Sequence, residues 1–583
     1  MDSAPAGPTV RSAIEVAAAH AGSNQKRYAE LDAAAGDGDF GPVLARALRS
    51  ARAAVRAEAA AGGAAVLTAA ADAVAGVGGT TGPIWGEGLL QAAGVLRDGT
   101  DDPGRDATSA TSATSLAARA ARAAADGISA LGGAVVGDKT LLDALVPAAD
   151  ALERAADDGT SLADAVRAAA YAAQQGAAST KDLDAKRGRA SYQGEAAAGA
   201  LDAGAVAIAE ILDALARHLA GAQAGAEAPG AEALATDEGD EPGAAGEQTW
   251  EAVPGHLVDD PQALVDDALA GLVAASAGRL RWQPDPRFLA RADAPVHGEV
   301  ALVRGGGSGH EPLHGGFVGP GMLAAACPGE VFASPSAAQV VAAMRGVDAG
   351  AGVLLVVKNY TGDVLNFRLA AELAAAHGVR SETVLVADDV AVDGSTATIG
   401  RRGVAGTVVV EKLAGAAAAR GDDLAAVTAV ARRVADEVRS MGAAVSGVTL
   451  PTGGDPAIKL GEGEVELGVG IHGEPGRERI SAEPAARLVD RLIDAVLADL
   501  PGSGSDVLLV TNGLGGLPLL ELYAAHAHAV RRLEDEGLVI QRALVGPFVT
   551  SLGMAGLSLT LLRLDAELRQ LWDAPVDTTA WRS

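Results

Sequence analysis

Apolar positions follow two different patterns in the two ends of this 583-residue chain. Residues 1–220 consist of long segments of Ala, Leu, Val and Arg separated by Gly, Asp and Pro, which predicts a domain made almost entirely of α-helices. From about residue 251 onward, short apolar runs such as residues 301–303, 353–357 and 506–510 alternate with helical segments. That alternation predicts an α/β fold with a buried parallel or mixed sheet.

A low-complexity stretch separates the two patterns. Residues 221–250 are rich in Ala, Gly, Glu and Pro and hold almost no large apolar side chains. Such a composition cannot bury a core, so we expect a disordered linker with a span of roughly 30 Å. We therefore expect residues 1–220 and 251–583 to form separate domains.

Composition narrows the class of protein. Aromatic residues make up only 3% of the chain, which favours helices packed through small side chains such as alanine. The net charge of −29 argues against a nucleic-acid or anionic-membrane partner. The single cysteine, Cys327, excludes an internal disulfide and is compatible with a reducing cytosol, and we expect it to be a small buried hydrophobe. No segment has the pattern of a signal peptide or a membrane span, so we expect a soluble, cytoplasmic protein.

Three polar motifs of the C-terminal region each follow an apolar, strand-like run. Residues 305–309 (GGGSG) are predicted to form a tight turn that leaves a strand and presents His310. Lys358 and Asp363 follow a second run, and His472 follows a third. Open α/β sheets hold ligands at such strand ends, so we expect the four side chains to converge on one pocket. Taken alone, the Gly-rich segment fits a ligand loop or a plain turn, and an isolated histidine is more often structural than functional.

An acidic motif interrupts the helical N-terminal region. In residues 30–41 (ELDAAAGDGDFG), a helix end followed by a tight turn would gather Asp32, Asp37 and Asp39. Clustered carboxylates repel one another unless a cation is present, and hard oxygen ligands suit Mg²⁺ that bridges to phosphates. The alternatives are a solvated acidic turn and a Ca²⁺ loop, although further EF-hand ligands are missing.

Two further N-terminal motifs are candidates for phosphate binding. In residues 76–86 (GVGGTTGPIWG), backbone N–H groups and hydroxyls at a predicted helix start could cradle phosphate without a Walker lysine, or form a flexible turn. Residues 137–145 (GDKTLLDAL) and 186–195 (KRGRASYQGE) form a cationic patch. There Arg189 or a neighbour could offset charge on a transferring phosphoryl group; the alternative is a basic surface patch.

Taken together, these motifs resemble the dihydroxyacetone kinase family. The blocks GGGSGHEP, FVGPGML, VFASPS, VKNYTGDVLNF, GRRGVAGTV, RSMG and ELGVGIHGEPG occur in the order of the family's substrate-binding K domain. The three N-terminal motifs are similar to its nucleotide-binding L domain. The resemblance implies a two-part α/β K domain, divided near residue 440 into residues 251–440 and 441–583, and a helical barrel for the L domain.

The resemblance also implies roles for individual K-domain residues. His472 matches the histidine that forms a covalent hemiaminal with the substrate ketone, which suits a neutral imidazole because it adds reversibly to a carbonyl. Asp363 matches the base that takes the proton of the attacking hydroxyl, and His310 matches a residue that binds and polarises the substrate. The implied substrate contacts are Gly307, Ser308, Gly309, His310, Lys358, Asp363 and His472.

For the L domain, the resemblance implies ATP held through two Mg²⁺ ions on Asp32, Asp37 and Asp39. The implied nucleotide-binding positions are Gly78, Gly79, Thr80, Thr81, Gly137, Arg189, Asp202 and Gly204. This chain departs from the family pattern at several positions. Phe40 stands where His is common, Thr81 replaces Ser, and Ala196 and Ala203 replace Arg and Pro. The metal ligands survive these departures, and we expect any effect to fall on nucleotide affinity.

The domains run in the order L then K, the reverse of the single-chain ATP-dependent members. Because the linker is long, we expect the order to leave the chemistry unchanged, with the L domain serving the K pocket of its own chain or of a homodimer partner. The resemblance implies ATP-dependent phosphorylation of a short ketose such as dihydroxyacetone or erythrulose, or of glyceraldehyde. The alternatives are a phosphotransferase-system kinase that needs a phosphocarrier partner, a non-catalytic sugar-sensing regulator, and an FAD-cleaving cyclase side activity.

Overall fold

The structure is a computed structural model that describes residues 6–33, 40–57, 62–98, 113–187, 199–223, 256–392, 400–451 and 458–583. The chain divides into two compact units, Met1–Thr249 and Trp250–Ser583. Across the described ranges, we find no helix with the length and apolar character needed to cross a membrane.

Helices account for nearly all of the first unit within its described residues, as the sequence predicts. The α-helices are α1 (Ala6–Ser23), α2 (Gln25–Ala33), α3 (Phe40–Ala57), α4 (Gly63–Ala75), α5 (Thr81–Asp98), α6 (Ala113–Gly132), α7 (Leu142–Asp157), α8 (Leu162–Ser179) and α9 (Ala203–Gln223), with a short 3₁₀ helix at Thr180–Asp182.

Small side chains allow these helices to pack closely. The core between α7, α8 and α9 is built largely from alanines, among them Ala144, Ala169 and Ala205, which are fully buried. From α2 to α9, helices that follow one another in the chain contact each other, and α1 contacts α3 and α9. Gly176 of α8 lies directly against the backbone of Asp143, so that a Cβ at this position would collide with α7. The low aromatic content therefore reflects close approach of helix backbones.

The described residues of the second unit form two six-stranded sheets. The first holds β1 (Leu280–Pro284), β2 (Arg287–Arg291), β3 (Ala301–Ser308), β4 (Ala325–Val331), β5 (Val353–Lys358) and β6 (Ser381–Val386), in the order β1-β2-β4-β3-β5-β6. Strands β4, β3, β5 and β6 run parallel, and every residue of β3 and β5 is buried. Its associated helices are α10 (Leu264–Ala275), α11 (Ala337–Val347), α12 (Thr361–Ala376), α13 (Gly406–Arg420) and α14 (Leu424–Glu437), with a 3₁₀ helix at Gly315–Phe317.

The second sheet is mostly antiparallel. It holds β7 (Arg439–Ala444), β8 (Glu464–Leu467), β9 (Glu478–Ser481), β10 (Asp506–Gly513), β11 (Val539–Gly546) and β12 (Gly556–Arg563), in the order β11-β10-β12-β7-β8-β9. Among the described strands of this sheet, β10 and β11 are the pair that runs parallel, and the other pairs are antiparallel. Helices α15 (Ala485–Asp499), α16 (Leu519–Asp535) and α17 (Ala566–Trp572) complete this half.

The two halves of the second unit share backbone hydrogen bonds. Ser440 N donates to Asp388 O, which joins the start of β7 to the segment after β6. Thr550 N donates to His310 O, and Leu552 N donates to Gly309 O. The loop after β11 is thereby fixed against the end of β3.

The glycine-rich segment is a strand rather than a turn for most of its length. β3 continues through Gly305, Gly306 and Gly307 to Ser308, and only Gly309, with φ 101°, leaves the extended conformation. The predicted turn over residues 305–309 is therefore wrong. These glycines serve close packing instead, since a Cβ at Gly307 would lie 2.7 Å from the backbone of Phe332.

Candidate functional site

His310 lies at the end of β3 with its ring fully buried. Its Nδ1 lies 2.7 Å from the carbonyl oxygen of Thr550, and because a carbonyl only accepts, Nδ1 carries the proton and donates. Its Nε2 is buried and has no hydrogen-bond partner among the described residues. Burial, with the charges of Lys358 and His472, lowers the pKa of His310 well below 6.5. The ring is therefore neutral at physiological pH, with a bare Nε2.

His472 lies in the loop between β8 and β9 and has a carboxylate partner two residues away. Its Nδ1 donates to Oε1 of Glu474 over 2.9 Å, and its backbone N–H donates to Oε2 over 3.0 Å. Burial acts to raise the pKa of Glu474, but the charge of His472, their hydrogen bond and Arg402 lower it to about 2. Glu474 is thus ionised, and its hydrogen bond to Nδ1 selects, for the neutral ring of His472, the tautomer whose Nε2 has a free lone pair.

Four rings line the space between the two halves of the second unit. The centroids of His310 and His472 are 4.8 Å apart. Phe332 stacks on His310 at 5.0 Å and meets His472 edge-on at 5.3 Å, and Tyr360 meets His472 at 4.6 Å. The two histidines predicted from separate motifs therefore meet at one site, with aromatic walls on either side.

The other predicted substrate contacts of the second unit lie around these rings. Lys358 ends β5 and is buried, with its Nζ 5.4 Å from the centroid of the Tyr360 ring, and burial lowers its pKa to about 8. Asp363 is buried in the first turn of α12, where its charge opposes that effect on Lys358. Ser308 is buried at the end of β3, and its Oγ donates to Gly329 O. The second unit therefore brings together the predicted histidines, Lys358 and Asp363.

A buried ion pair lies behind the site. Arg304 Nε and Glu411 Oε1 are 3.0 Å apart, and both side chains are fully buried. Burial raises the pKa of Glu411 to about 7 against the charge of Arg304. Arg304 also contacts the ring of His314. A Cβ at Gly306 would lie 2.6 Å from Nε2 of His314, so that the glycine at this position allows the ring to approach β3.

The buried side chain of Asn512 fixes the loop that contacts His310. Its Oδ1 accepts from the backbone N–H groups of Phe548 and Val549, and its Nδ2 donates to Val549 O and Ser558 Oγ. Val549 immediately precedes Thr550, whose carbonyl accepts from His310. Asn512 therefore fixes the loop that supplies the hydrogen-bond acceptor of His310.

The candidate nucleotide-binding residues of the first unit lie near one end of its helices. Thr81 begins α5, whose Ile84 packs with Leu142 at the start of α7, and Gly204 lies close to Leu141. In the loop before α7, Gly137 N and Thr140 N donate to the two carboxylate oxygens of Asp143. Gly78 and Gly79, two further candidate nucleotide-binding residues, lie in the turn between α4 and α5.

Carboxylates gather at the same end. Asp202 caps α9 by accepting from Ala205 N. Burial, followed by the charges of Asp143 and Asp32, raises the pKa of Asp202 to about 7. Asp32 lies at the end of α2 and accepts from the backbone N–H of Phe40 at 3.4 Å. Neighbouring carboxylates repel one another when they are ionised, and a bound cation would reduce that repulsion.

Three predicted residues, Asp37, Asp39 and Arg189, lie outside the described residues, as does Ala196. Over the described part of the chain, no three His, Cys, Asp or Glu side chains are grouped closely enough to hold a metal ion. The Mg²⁺ site therefore stays a prediction.

Sequence reasoning missed four residues of the site: Glu474, Tyr360, Phe332 and Thr550. Glu474, Tyr360 and Phe332 stand inside motifs that were recognised, and the first two lie two residues from His472 and two from Lys358. A polar side chain two positions from a candidate nucleophile was a usable signal for Glu474. Thr550 is distant from His310 in sequence and acts through its backbone carbonyl, which no residue-type pattern reveals.

Comparison with known proteins identifies the class to which this fold and site belong. A Dak1 domain matches residues 270–580, which is more than half of the chain, and a DAK2 domain matches residues 34–217. The chain belongs to the dihydroxyacetone kinase family, with its two domains in the order L then K.

Individual relatives agree with this assignment. The dihydroxyacetone-binding subunit DhaK of the PEP-dependent dihydroxyacetone kinase of Escherichia coli is 45% identical over 349 residues, covering 56% of this chain and 98% of the relative. The L-erythrulose 1-kinase of Mycolicibacterium smegmatis is 42% identical, covering 56% of this chain and 58% of the relative. The crystal structure of the dihydroxyacetone kinase of C. freundii with AMP-PNP and Mg²⁺ superposes with a TM-score of 0.53 and 38% identity, covering 57% and 61% of the two chains. The chain thus covers almost the whole length of the Escherichia coli K subunit. It covers somewhat over half the length of the erythrulose kinase and of the C. freundii kinase.

Proposed function

We propose that this protein phosphorylates a terminal hydroxyl of a short ketose with ATP, while the ketose is held as a hemiaminal on His472. The observation that carries the proposal is the pair of histidines 4.8 Å apart, each with its Nδ1 tied to an acceptor. His310 is neutral, and an imidazole whose Nδ1 holds the proton has its lone pair on Nε2, so the pair forms a site that can attack and polarise one carbonyl.

Substrate capture follows from the partners of His472. Nε2 attacks the ketone carbon, a C–N bond forms, and the carbonyl π bond breaks to give an alkoxide. The Nδ1 proton passes to the ionised Glu474 and is relayed from there to the alkoxide, so that the hemiaminal is neutral and Glu474 is ionised again. Glycerol has no carbonyl and is rejected at this step. The aromatic walls formed by Phe332 and Tyr360 exclude water from the adduct.

Phosphoryl transfer uses the remaining polar groups. The terminal hydroxyl attacks the γ-phosphorus of ATP, its proton passes to Asp363, and the bond to the β–γ bridging oxygen breaks to release ADP. Lys358 and His310 orient the bound ketose. In the first unit, Asp32 with Asp37 and Asp39 would hold Mg²⁺, which neutralises charge on the phosphates when it is bound. The charges of Asp32 and Asp143 beside the buried Asp202 are the observation that supports a cation at this end of the helices. We further propose that these helices form the barrel of the family's L domain.

The direct test is ADP release by the purified chain with ATP and Mg²⁺. Dihydroxyacetone, glyceraldehyde, both erythrulose enantiomers and glycerol are compared as acceptors. The named erythrulose kinase among the relatives is the reason for including four-carbon sugars. We expect turnover with at least one ketose, none with glycerol, and loss of turnover in His472→Ala. The matched control is His528→Ala, which removes a histidine paired with Asp490 away from the site. Equal turnover of His472→Ala and His528→Ala would overturn the proposal.

A phosphotransferase-system kinase is the second candidate. It is favoured by the 45% identity to a subunit that is named as PEP-dependent. Turnover of ATP by the chain alone would exclude a required phosphocarrier partner. Phosphorylation of the ketose only when a phosphocarrier and its phosphate donor are added would favour this second candidate.

A further inference from the structure

Arg402 belongs to the motif GRRGVAGTV, to which the proposed mechanism gives no role. Its side chain is only 8% exposed. Its Nε and Nη2 lie 2.8 and 2.6 Å from Oδ2 of Asp389, and its Nη2 also donates to Gly468 O over 2.6 Å. One guanidinium therefore ties the segment after β6, in the first half of the unit, to the loop that carries His472.

The remaining guanidinium nitrogen of Arg402, Nη1, lies beside Gly470 of the same loop. A Cβ built on Gly470 would lie 2.7 Å from Nη1 of Arg402 and would collide with Oε2 of Glu474. The guanidinium and the carboxylate thus flank the same glycine, and the charge of Arg402 contributes to keeping Glu474 ionised. Any side chain at Gly470 would separate them.

We propose that Arg402 is a positioning residue for the nucleophile His472, acting through Gly468 and Glu474. The inference rests on the proposed function, because it needs His472 to form the adduct. Arg402 holds the carboxylate in the position where it accepts from both Nδ1 and the backbone N–H of His472, and the lone pair of Nε2 then faces the substrate. Asp389 anchors Arg402 from the other side.

The pH dependence of adduct formation should report this arrangement. The adduct forms when the His472–Glu474 pair lacks an extra proton, and a neighbouring cation disfavours that proton. In a plot of the adduct constant against pH, the acid limb is the low-pH range in which the adduct is lost. Loss of Arg402 should therefore move this acid limb to higher pH. The titratable and charged groups that face the pair from neighbouring elements are Arg402, Asp389, Tyr360, Lys358, Asp363 and His310.

The experiment measures the hemiaminal directly in the full-length chain. Dihydroxyacetone labelled with ¹³C at its carbonyl carbon is titrated against pH, and NMR follows the change from a ketone to a tetrahedral carbon. For Arg402→Met we expect an adduct constant lower by at least about tenfold, the effect of losing the hydrogen bond that the charged Arg402 donates to Gly468 O, together with an upward shift of the acid limb. Arg402→Lys keeps the charge, and should retain the acid limb of the unsubstituted chain while recovering only part of the adduct constant.

Two further variants separate positioning from folding. Arg402→Met combined with Asp389→Asn removes the buried carboxylate that the single change would leave unpaired, and we expect the adduct defect to persist. Arg401→Met is the matched control, because the neighbouring arginine pairs with Asp499 instead. An adduct constant and acid limb in Arg402→Met equal to those of Arg401→Met would overturn the inference alone. Absence of the adduct in the unsubstituted chain would overturn the proposed capture on His472, and the inference with it.

Discussion

Glu474→Gln offers a sharp test of how the site activates its histidine. In the structure, both carboxylate oxygens of Glu474 accept hydrogen bonds from His472, Oε1 from the ring and Oε2 from the backbone. Glutamine has the same shape but only one acceptor oxygen. In one orientation, its NH₂ group faces the backbone N–H of His472. In the other, the NH₂ donates to Nδ1, and the ring must then carry its proton on Nε2, where no lone pair remains for attack.

The magnitude follows from the charge that is lost. A hydrogen bond to an ionised partner contributes about 1.5–3 kcal/mol, and leaving a donor unpaired costs a similar amount. Either orientation of glutamine should therefore lower kcat/KM for the ketose by about 10- to 150-fold, since 1.4 kcal/mol corresponds to a factor of ten.

The assay combines coupled kinetics with ¹⁵N NMR of histidine-labelled protein, in which the ring nitrogens of His472 report the tautomer. The matched control is Glu466→Gln. This buried carboxylate of β8 also accepts two hydrogen bonds, from Gly476 N of the same loop and from Arg479 Nε of β9, and neither bond involves His472. We expect the control to keep the tautomer and most of kcat/KM. Unchanged kcat/KM and tautomer in Glu474→Gln would refute the reasoning.

Three further predictions concern the surroundings of the histidines. Because burial lowers the pKa of Lys358 to about 8, kcat/KM should fall as the pH rises through 8 and the ammonium loses its proton. A Lys358→Met variant should lack this fall in kcat/KM at high pH. If the fall persists in the variant, it belongs to another group. Asn512→Ala removes four hydrogen bonds and should lower the free energy of unfolding, measured in urea, by about 3 kcal/mol. A decrease of less than about 1 kcal/mol would contradict the role of Asn512 in fixing the loop. Gly307→Ala places a Cβ 2.7 Å from the backbone of Phe332 and should cost about 1–3 kcal/mol and weaken ketose binding in calorimetry. Gly271→Ala, which meets nothing within 4 Å, is its control, and equal stability of the two variants would show that β3 tolerates the side chain.

Local pattern was sufficient for the architecture of each unit. Hydrophobic periodicity is set by neighbouring residues, so the change from helical to alternating strand and helix segments could be read along the chain. The same holds for His310, Lys358, Asp363 and His472, which all follow apolar runs. The prediction that residues 305–309 form a turn was wrong because glycine permits a turn but does not require one, and here close packing against Phe332 decides.

The sequence by itself determined the types of element, the family and the polar residues that meet in the second unit. Only the tertiary structure decided which proton each histidine carries, because those protons depend on acceptors placed by packing. Thr550 reaches His310 through the pairing of two loops from different halves, and Arg402 reaches the loop of His472 from the first half. Such contacts join residues that are far apart in the chain, and their distances are set by how two sheets pack together. No local pattern of residue types contains that information.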